Sequence, residues 1–334
     1  MAEPAELFDR ELFDHETDHA DPWSATTRDV EFVEMPVKRI LNKCDSPAMP
    51  FGWTISPYRG CEFGCVYCYA RYTHEFLDLR DPMDFERRIF VKRTAASVLA
   101  RTLGHSPIGS QPIAIGTATD PYQPAEREYG ITRAMLEVLA RLGGMEISIT
   151  TKSTLIARDI DLLGRIARRS RLSVNFSLIT LDRHLQRIIE PRAPRPELRL
   201  RTLERLTCAG IRCNVLMMPV IPGLTDGESS IDAVVGAARR SGARAVWWRT
   251  LFLRPAAARR FIPFIAANFP HLKGRFDAFY SSAAYAPKEY DARMGEIFDR
   301  LRINHGFATS RERRSAPPPP AAPAGGQLSL LGDT

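Results

Sequence analysis

Nothing in this chain approaches the roughly 18 consecutive apolar residues that a membrane-spanning helix requires, so no membrane partner is expected. The first residues, Met-Ala-Glu-Pro-Ala-Glu-Leu, are acidic and hold no apolar stretch of the kind that directs secretion. A cytoplasmic location in a reducing compartment follows as an expectation, and disulfides are rare in such a compartment. Cysteine is sparse, with six in 334 residues. There is no second Cys-x-x-Cys pair and no paired Cys/His knuckle, the usual surroundings of a structural zinc ion. The apolar share of 44% still allows a sizeable core, and the length allows one or two domains.

Acid and base are unevenly spread. The net charge is +7, yet residues 1–35 carry eleven acidic and two basic side chains, a charge of −9, which leaves +16 on the rest. A body this basic fits an anionic partner, nucleic acid being the commonest. An Arg-rich and Ala-rich composition alone also produces basic segments, and charge runs are usually solvated faces.

Three of the six cysteines stand together in Cys61-Glu-Phe-Gly-Cys65-Val-Tyr67-Cys68. A four-iron, four-sulfur cluster is fully capped by four thiolates. Three thiolates leave one iron open, and an open position admits chemistry. Two blander readings stand beside this one: a structural zinc completed by His74, or a disulfide between two of the thiols. Cys208 and Cys213 read as core residues, and Cys44 stands just upstream without an assigned part.

After the cysteines, strands and helices alternate. Helical patterns cover residues 95–103, 131–142, 159–170, 196–209 and 229–241, and apolar or alternating strands cover 112–119, 146–151, 171–178, 211–219 and 243–253. With the strand that leads into the cysteines, this makes six strands from Thr54 to Leu253. Strand-then-helix repeats imply parallel strands with right-handed crossovers, in a partial barrel or in a doubly wound sheet. In barrels of this kind the chemistry sits at the C-terminal ends of the strands. Four such ends are polar here: Gly116-Thr117-Ala118-Thr119-Asp120-Pro121-Tyr122-Gln123-Pro124, then Thr150-Thr151-Lys152-Ser153, then Asn175-Phe176-Ser177 with Glu190-Pro191-Arg192 in the loop beyond, then Met218-Pro219-Val220-Ile221-Pro222-Gly223-Leu224-Thr225-Asp226. Any one of them reads as an ordinary turn; four in succession are harder to dismiss.

The three-then-two cysteine spacing, with aromatic Tyr67 before the last cysteine, resembles the signature of the radical S-adenosylmethionine superfamily. That resemblance implies a [4Fe-4S] cluster on Cys61, Cys65 and Cys68, with S-adenosylmethionine chelated to the open iron and cleaved reductively to a 5′-deoxyadenosyl radical. It also implies an electron donor such as flavodoxin or ferredoxin, and an α/β fold, a partial (β/α)6 barrel with a helical C-terminal extension and a disordered tail. By the same resemblance Thr117, Thr119 and Asp120 stand where the methionine amino group is received, although the usual Gly-Gly-Glu is absent. Ser177 stands at the ribose and Ile221 near the adenine, while Lys152 or Arg192 pairs with the methionine carboxylate. The quoted strand ends are similar to those of one branch, the spore photoproduct lyase-like, or DNA repair photolyase-like, group. This implies a lyase-type enzyme of DNA repair. The group's second-strand cysteine, which returns a hydrogen atom, has no counterpart in residues 111–123, and Tyr122 is the candidate hydrogen donor in its place.

The expected organisation is an acidic arm over 1–37, a core barrel over 38–255, a helical extension over 256–310, an Arg/Pro-rich linker over 311–326 and a terminal peptide over 327–334. The linker cannot bury a core and reads as an extended spacer. It ends in Gln327-Leu328-Ser329-Leu330-Leu331, which resembles the peptide that docks on the bacterial DNA polymerase sliding clamp, with Leu331 in place of Phe. Two rival functions remain open: radical modification of RNA or protein, and a non-catalytic, metal-stabilised adaptor that binds DNA or the clamp.

Overall fold

The computed structural model describes residues 30–47, 49–105 and 111–308. The terminal peptide, the linker and most of the acidic arm lie outside these residues. Among the described residues ten strands form two sheets. The strands are β1 (Glu31–Glu34), β2 (Leu41–Lys43), β3 (Trp53–Ile55), β4 (Tyr58–Arg59), β5 (Arg88–Val91), β6 (Ile113–Ile115), β7 (Glu146–Thr151), β8 (Arg171–Ser177), β9 (Arg212–Val220) and β10 (Val246–Thr250). The large sheet has the order β2-β3-β6-β7-β8-β9-β10. Its six strands from β3 onward are parallel, and β2 is added antiparallel at the edge. Each parallel strand lies beside its successor in the chain, so the order never reverses as it does in a doubly wound sheet. This is the partial barrel.

Five helices cross between these strands: α1 (Ala95–His105), α2 (Ile131–Arg141), α3 (Ile160–Arg169), α4 (Pro196–Cys208) and α5 (Glu228–Arg240). The alternation of the strands decides which face they cover. Ile147, Ile149, Val174, Phe176, Val215 and Met217 are buried with Leu139, Ile166, Leu206 and Val234 of the helices in one core. Burying each such side chain stabilises the fold by about 1.5–3 kcal/mol. Their strand neighbours point to the other face, and on β7 and β8 these are polar. Ser148 pairs with Ser173, and Thr150 with Asn175, which accepts a 2.9 Å bond from Asn214 Nδ2. The inner face of the partial barrel is thus polar along β7 and β8, while β9 adds Leu216 and Met218 beside Asn214.

A second core lies under the cysteine loop. Phe63, Val66 and Tyr67 pack there with Ile179, Ile221 and Leu251, and with Phe261, Phe264 and Phe276. The last three come from α6 (Pro255–Asn268) and α7 (Lys273–Tyr280). The final helix, α8 (Lys288–Asn304), joins the main core, where Phe298 stacks on Trp248 with ring centroids 5.0 Å apart.

Three strands, β1, β2 and β5, were not foreseen from the sequence, and the strand that leads into the cysteines is two, β3 and β4. β1 falls inside the stretch read as an acidic arm; it pairs in parallel with β5, which also pairs antiparallel with β4. These strands have two to four residues each, too few to show a period. Cys213 is fully buried on β9, but Cys208 is exposed. As the last residue of α4, Cys208 has left the stripe formed by Leu203 and Leu206 that faces the core, which corrects its reading as a core residue.

Candidate functional site

The cysteines occupy the loop that leaves β4, and the loop is fastened from three directions. At its start Gly60 adopts φ +90°, where a Cβ would stand 2.8 Å from the Arg88 carbonyl oxygen. The Gly60 carbonyl accepts from Thr119 Oγ1 at 2.5 Å and from Gln123 Nε2 at 3.2 Å. Beside it, the Glu62 backbone N–H donates to Gln123 Oε1 at 2.9 Å, and the Glu62 carboxylate accepts from the Ala125 N–H at 2.7 Å. The loop from β6 therefore grips the first half of the motif. On another side, the Cys61 N–H donates to the Phe85 carbonyl at 2.9 Å, and the Val66 N–H to the Ile189 carbonyl at 3.1 Å. Just past Cys68, the buried Arg71 donates to the Cys65 carbonyl at 2.9 Å and pairs with buried Glu86 at 2.5 Å.

All six cysteines are free thiols. Burial pushes the thiols of Cys61, Cys65 and Cys68 up, that of Cys65 to about 12. Cationic groups act against this rise: Lys152 and Arg199 at Cys65, and Arg71 and Lys152 at Cys68. His74 does not join the thiols. Its Nε2 lies 3.0 Å from the Arg88 carbonyl, its ring meets Phe85 and Phe90 edge-on, and its charged neighbours are Arg59, Asp84 and Arg71. Among the described residues no three His, Cys, Asp or Glu side chains converge on a point where one metal ion could sit. A four-iron cluster asks for something different, one thiolate for each of three irons.

Behind the loop stands a buried polar network centred on Glu190. One of its oxygens accepts from the Tyr67 phenol, and the Lys152 ammonium lies 3.9 Å from that oxygen. Its other oxygen pairs with Arg199 at 2.5 Å. Arg199 also donates to the carbonyls of Ser177 at 3.0 Å and Pro194 at 2.7 Å. Burial opposes charge on Glu190, but Arg199 and Lys152 outweigh it and hold the carboxyl below its ordinary range. Lys152 also sits 5.7 Å from the centroid of the Tyr67 ring.

The network brings Tyr67, Lys152 and Ser177 together. Asp120 binds the strand ends, accepting from Thr151 Oγ1 and the Lys152 N–H at 2.7 Å each, and it acts electrostatically on Cys61. Thr119 is committed to the Gly60 carbonyl. The Thr117 carbonyl accepts from the Tyr69 phenol. Ile221 is fully buried in the core beneath the loop. Tyr122 is the candidate hydrogen donor. It is fully buried in the main core, and its phenol feels Asp159, Glu126 and Arg158. The apolar ring on the helix-facing side outweighed the polar company of its neighbours in sequence.

Among the described residues, several polar atoms around this site are buried and unpartnered, including the Ser177 hydroxyl, Nη1 of Arg192 and Nε of Arg71. Arg192 lies beside Gly64, and the charges it feels are those of Glu86, Glu62, Cys61 and Cys65. Buried polar groups are normally satisfied, so atoms left open mark a place for a ligand. Sequence reasoning missed Arg71, Glu86, Glu62, Gln123 and Arg199. Glu62 and Gln123 lie inside the quoted motifs and were legible by position; Arg199 lies between two leucines on a helix and gave no signal.

Residues 55–232 match the family pattern of the Radical SAM superfamily. The chain belongs to that superfamily. Its cofactors are a [4Fe-4S] cluster and S-adenosylmethionine. An uncharacterized protein of Mycobacterium tuberculosis is 36% identical over 268 residues, which cover 80% of this chain and 78% of the relative. Another from Methanocaldococcus jannaschii is 26% identical over 241 residues, or 72% of this chain and 85% of its own length. Among solved structures, spore photoproduct lyase with bound AdoMet and dinucleoside spore photoproduct has the same fold, with a TM-score of 0.59 at 14% identity over 83% of this chain and 82% of that one. The radical SAM cofactors fit the residues present: three free thiols in one loop that act electrostatically on one another, with cations around them and open polar atoms alongside.

Proposed function

We propose that this radical SAM enzyme acts on nucleic acid, and that its reaction is a lyase-type repair of damaged DNA. Cys61, Cys65 and Cys68 would each hold one iron, which leaves the fourth to S-adenosylmethionine. When bound and reduced, by a donor such as flavodoxin or ferredoxin, the cluster supplies the electron that breaks a carbon–sulfur bond of S-adenosylmethionine. The protein's part is to position and to exclude water. The open Nη1 of Arg192 suits the methionine carboxylate better than Lys152 does, because Lys152 already faces Glu190. The open hydroxyl of Ser177 suits the ribose.

The observation that carries the nucleic-acid part is the +16 charge outside the first 35 residues, borne on a fold shared with spore photoproduct lyase. The test offers labelled S-adenosylmethionine to the reconstituted enzyme with ultraviolet-damaged DNA, intact DNA, RNA or a peptide. Damaged DNA is expected to raise 5′-deoxyadenosine release at least several-fold. Stimulation by RNA or peptide with none by DNA would sink the reading. In the same reading Gln327-Leu328-Ser329-Leu330-Leu331 tethers the enzyme to the sliding clamp. Changing Gln327 and Leu330 together to Ala is expected to abolish retention on immobilised clamp and to leave 5′-deoxyadenosine release unchanged; retention by the double variant would refute the tether.

A further inference from the structure

An exposed row of rings runs outward from the cysteine loop. Tyr69 follows Cys68 directly and is 41% exposed. Tyr72, one short turn on, meets Phe76 edge-on with centroids 5.8 Å apart, and Phe76 is 73% exposed. The guanidinium of Arg254 lies 4.6 Å from the Tyr72 centroid and 6.0 Å from that of Phe252. Phe252 in turn packs on Tyr285 with centroids 4.6 Å apart, and Tyr285 is 67% exposed. Two backbone features fix this end: the bridge between Phe252 and Tyr285, and the 2.8 Å bond from the Leu253 N–H to the Ala284 carbonyl. Among the described residues the Arg254 guanidinium has no ion pair and no hydrogen-bond acceptor.

Scattered exposed hydrophobic residues need no explanation, but contiguous ones do. These rings come from three parts of the chain, the helical turns after the cysteines, the strand end after β10 and the loop between α7 and α8, and the Arg254 guanidinium joins the first two. The second core below is closed with aliphatic and aromatic side chains of its own, so the row is not needed to complete it. Large aromatic faces interleaved with arginine are what unpaired bases and their phosphates stack upon and pair with. The rings hold one another in place, which lowers the ordering cost of binding. A base within a duplex shows no face to such a surface and must first leave its stack.

We infer that Tyr72, Phe76, Arg254, Phe252 and Tyr285 form a stacking platform for unpaired nucleotides, leading a single strand, or a base extruded from a duplex, toward the cysteine loop. This rests on the nucleic-acid reading above and adds the place and the mode of contact. The charge complementarity between the basic body of the protein and a phosphate chain favours this occupant over a peptide.

The test is fluorescence anisotropy of the full chain with a labelled single-stranded oligodeoxynucleotide, the matching duplex and an acidic peptide. Phe76→Ala and Tyr285→Ala are each expected to weaken single-strand binding on the order of tenfold, and Tyr285→Phe to retain it. Arg254→Ala is expected to lower the slope of log affinity against log salt by about one. Thermal melts of the variants check that each is folded. If the parent binds single strands and the folded Ala variants bind them equally well, the platform is refuted while the nucleic-acid reading stands. If the parent binds no nucleic acid, the nucleic-acid reading itself fails. If the peptide binds in preference and loses affinity in the same variants, the surface belongs to a peptide and the inference is overturned.

Discussion

Cys65→Ala is expected to yield a folded protein without its cluster. Iron after anaerobic reconstitution should fall from about four per chain to near zero, and reductive release of 5′-deoxyadenosine should fall to background. The expectation follows from the ligand count. With two thiolates the cluster loses a further cap, and nothing nearby replaces it: Asp120 is committed to Thr151 and Lys152, and His74 faces away. Cys208→Ala is the natural control, because Cys208 is exposed at the end of α4. It should keep the full iron content. Iron and absorbance in Cys65→Ala equal to those of the parent would remove Cys65 from the ligand set.

Glu190→Ala is expected to be the most destabilising single change near the site. The carboxylate is fully buried and answers two cations, Arg199 at 2.5 Å and Lys152 at 3.9 Å. Removing it leaves the Arg199 charge buried without its partner, a situation that costs about 3–5 kcal/mol. The Tyr67 phenol loses its acceptor too, which loosens the cysteine loop from behind. The unfolding free energy from denaturant titration should fall by that amount, and reconstituted iron should fall with it. Glu190→Gln keeps acceptors for Tyr67 and Arg199, and should cost less. The pH dependence has a definite sign. Because Arg199 and Lys152 overcome burial and lower the folded carboxyl's pKa, its stabilisation is complete above the unfolded value of about 4.3. It is lost as pH falls through the folded value below that. An unfolding free energy for Glu190→Ala within about 1 kcal/mol of the parent would contradict this view of the network.

The legible part of this protein was what repeats or what is chemically rare. Six parallel strands could be read because the βα units are long and periodic, and the cysteine triplet because three thiols at fixed spacing have few other uses. Residues such as Thr119 and Asp120 were placed at the right strand end, but their hydrogen bonds go to the Gly60 carbonyl and the Lys152 N–H, pairings between distant segments that no local pattern encodes. Tyr122 was read with its polar neighbours, yet its ring lies in the main core, because sequence does not say to which side of a turn a side chain points. Arg199 and Arg71 were invisible for the opposite reason. On paper each is one more arginine among 46 lysines and arginines, and only folding buries them. The short strands β1, β4 and β5 carry too few residues for a period and are set by their partners.

The central claim is that the cysteine loop carries a cluster that cleaves S-adenosylmethionine. Its most direct test is the wild-type chain alone, reconstituted anaerobically with iron and sulfide, reduced with dithionite and supplied with S-adenosylmethionine. About four irons per chain and release of 5′-deoxyadenosine and methionine are the predicted result. A protein that takes up zinc in place of iron, or that carries iron and releases no 5′-deoxyadenosine, would contradict it.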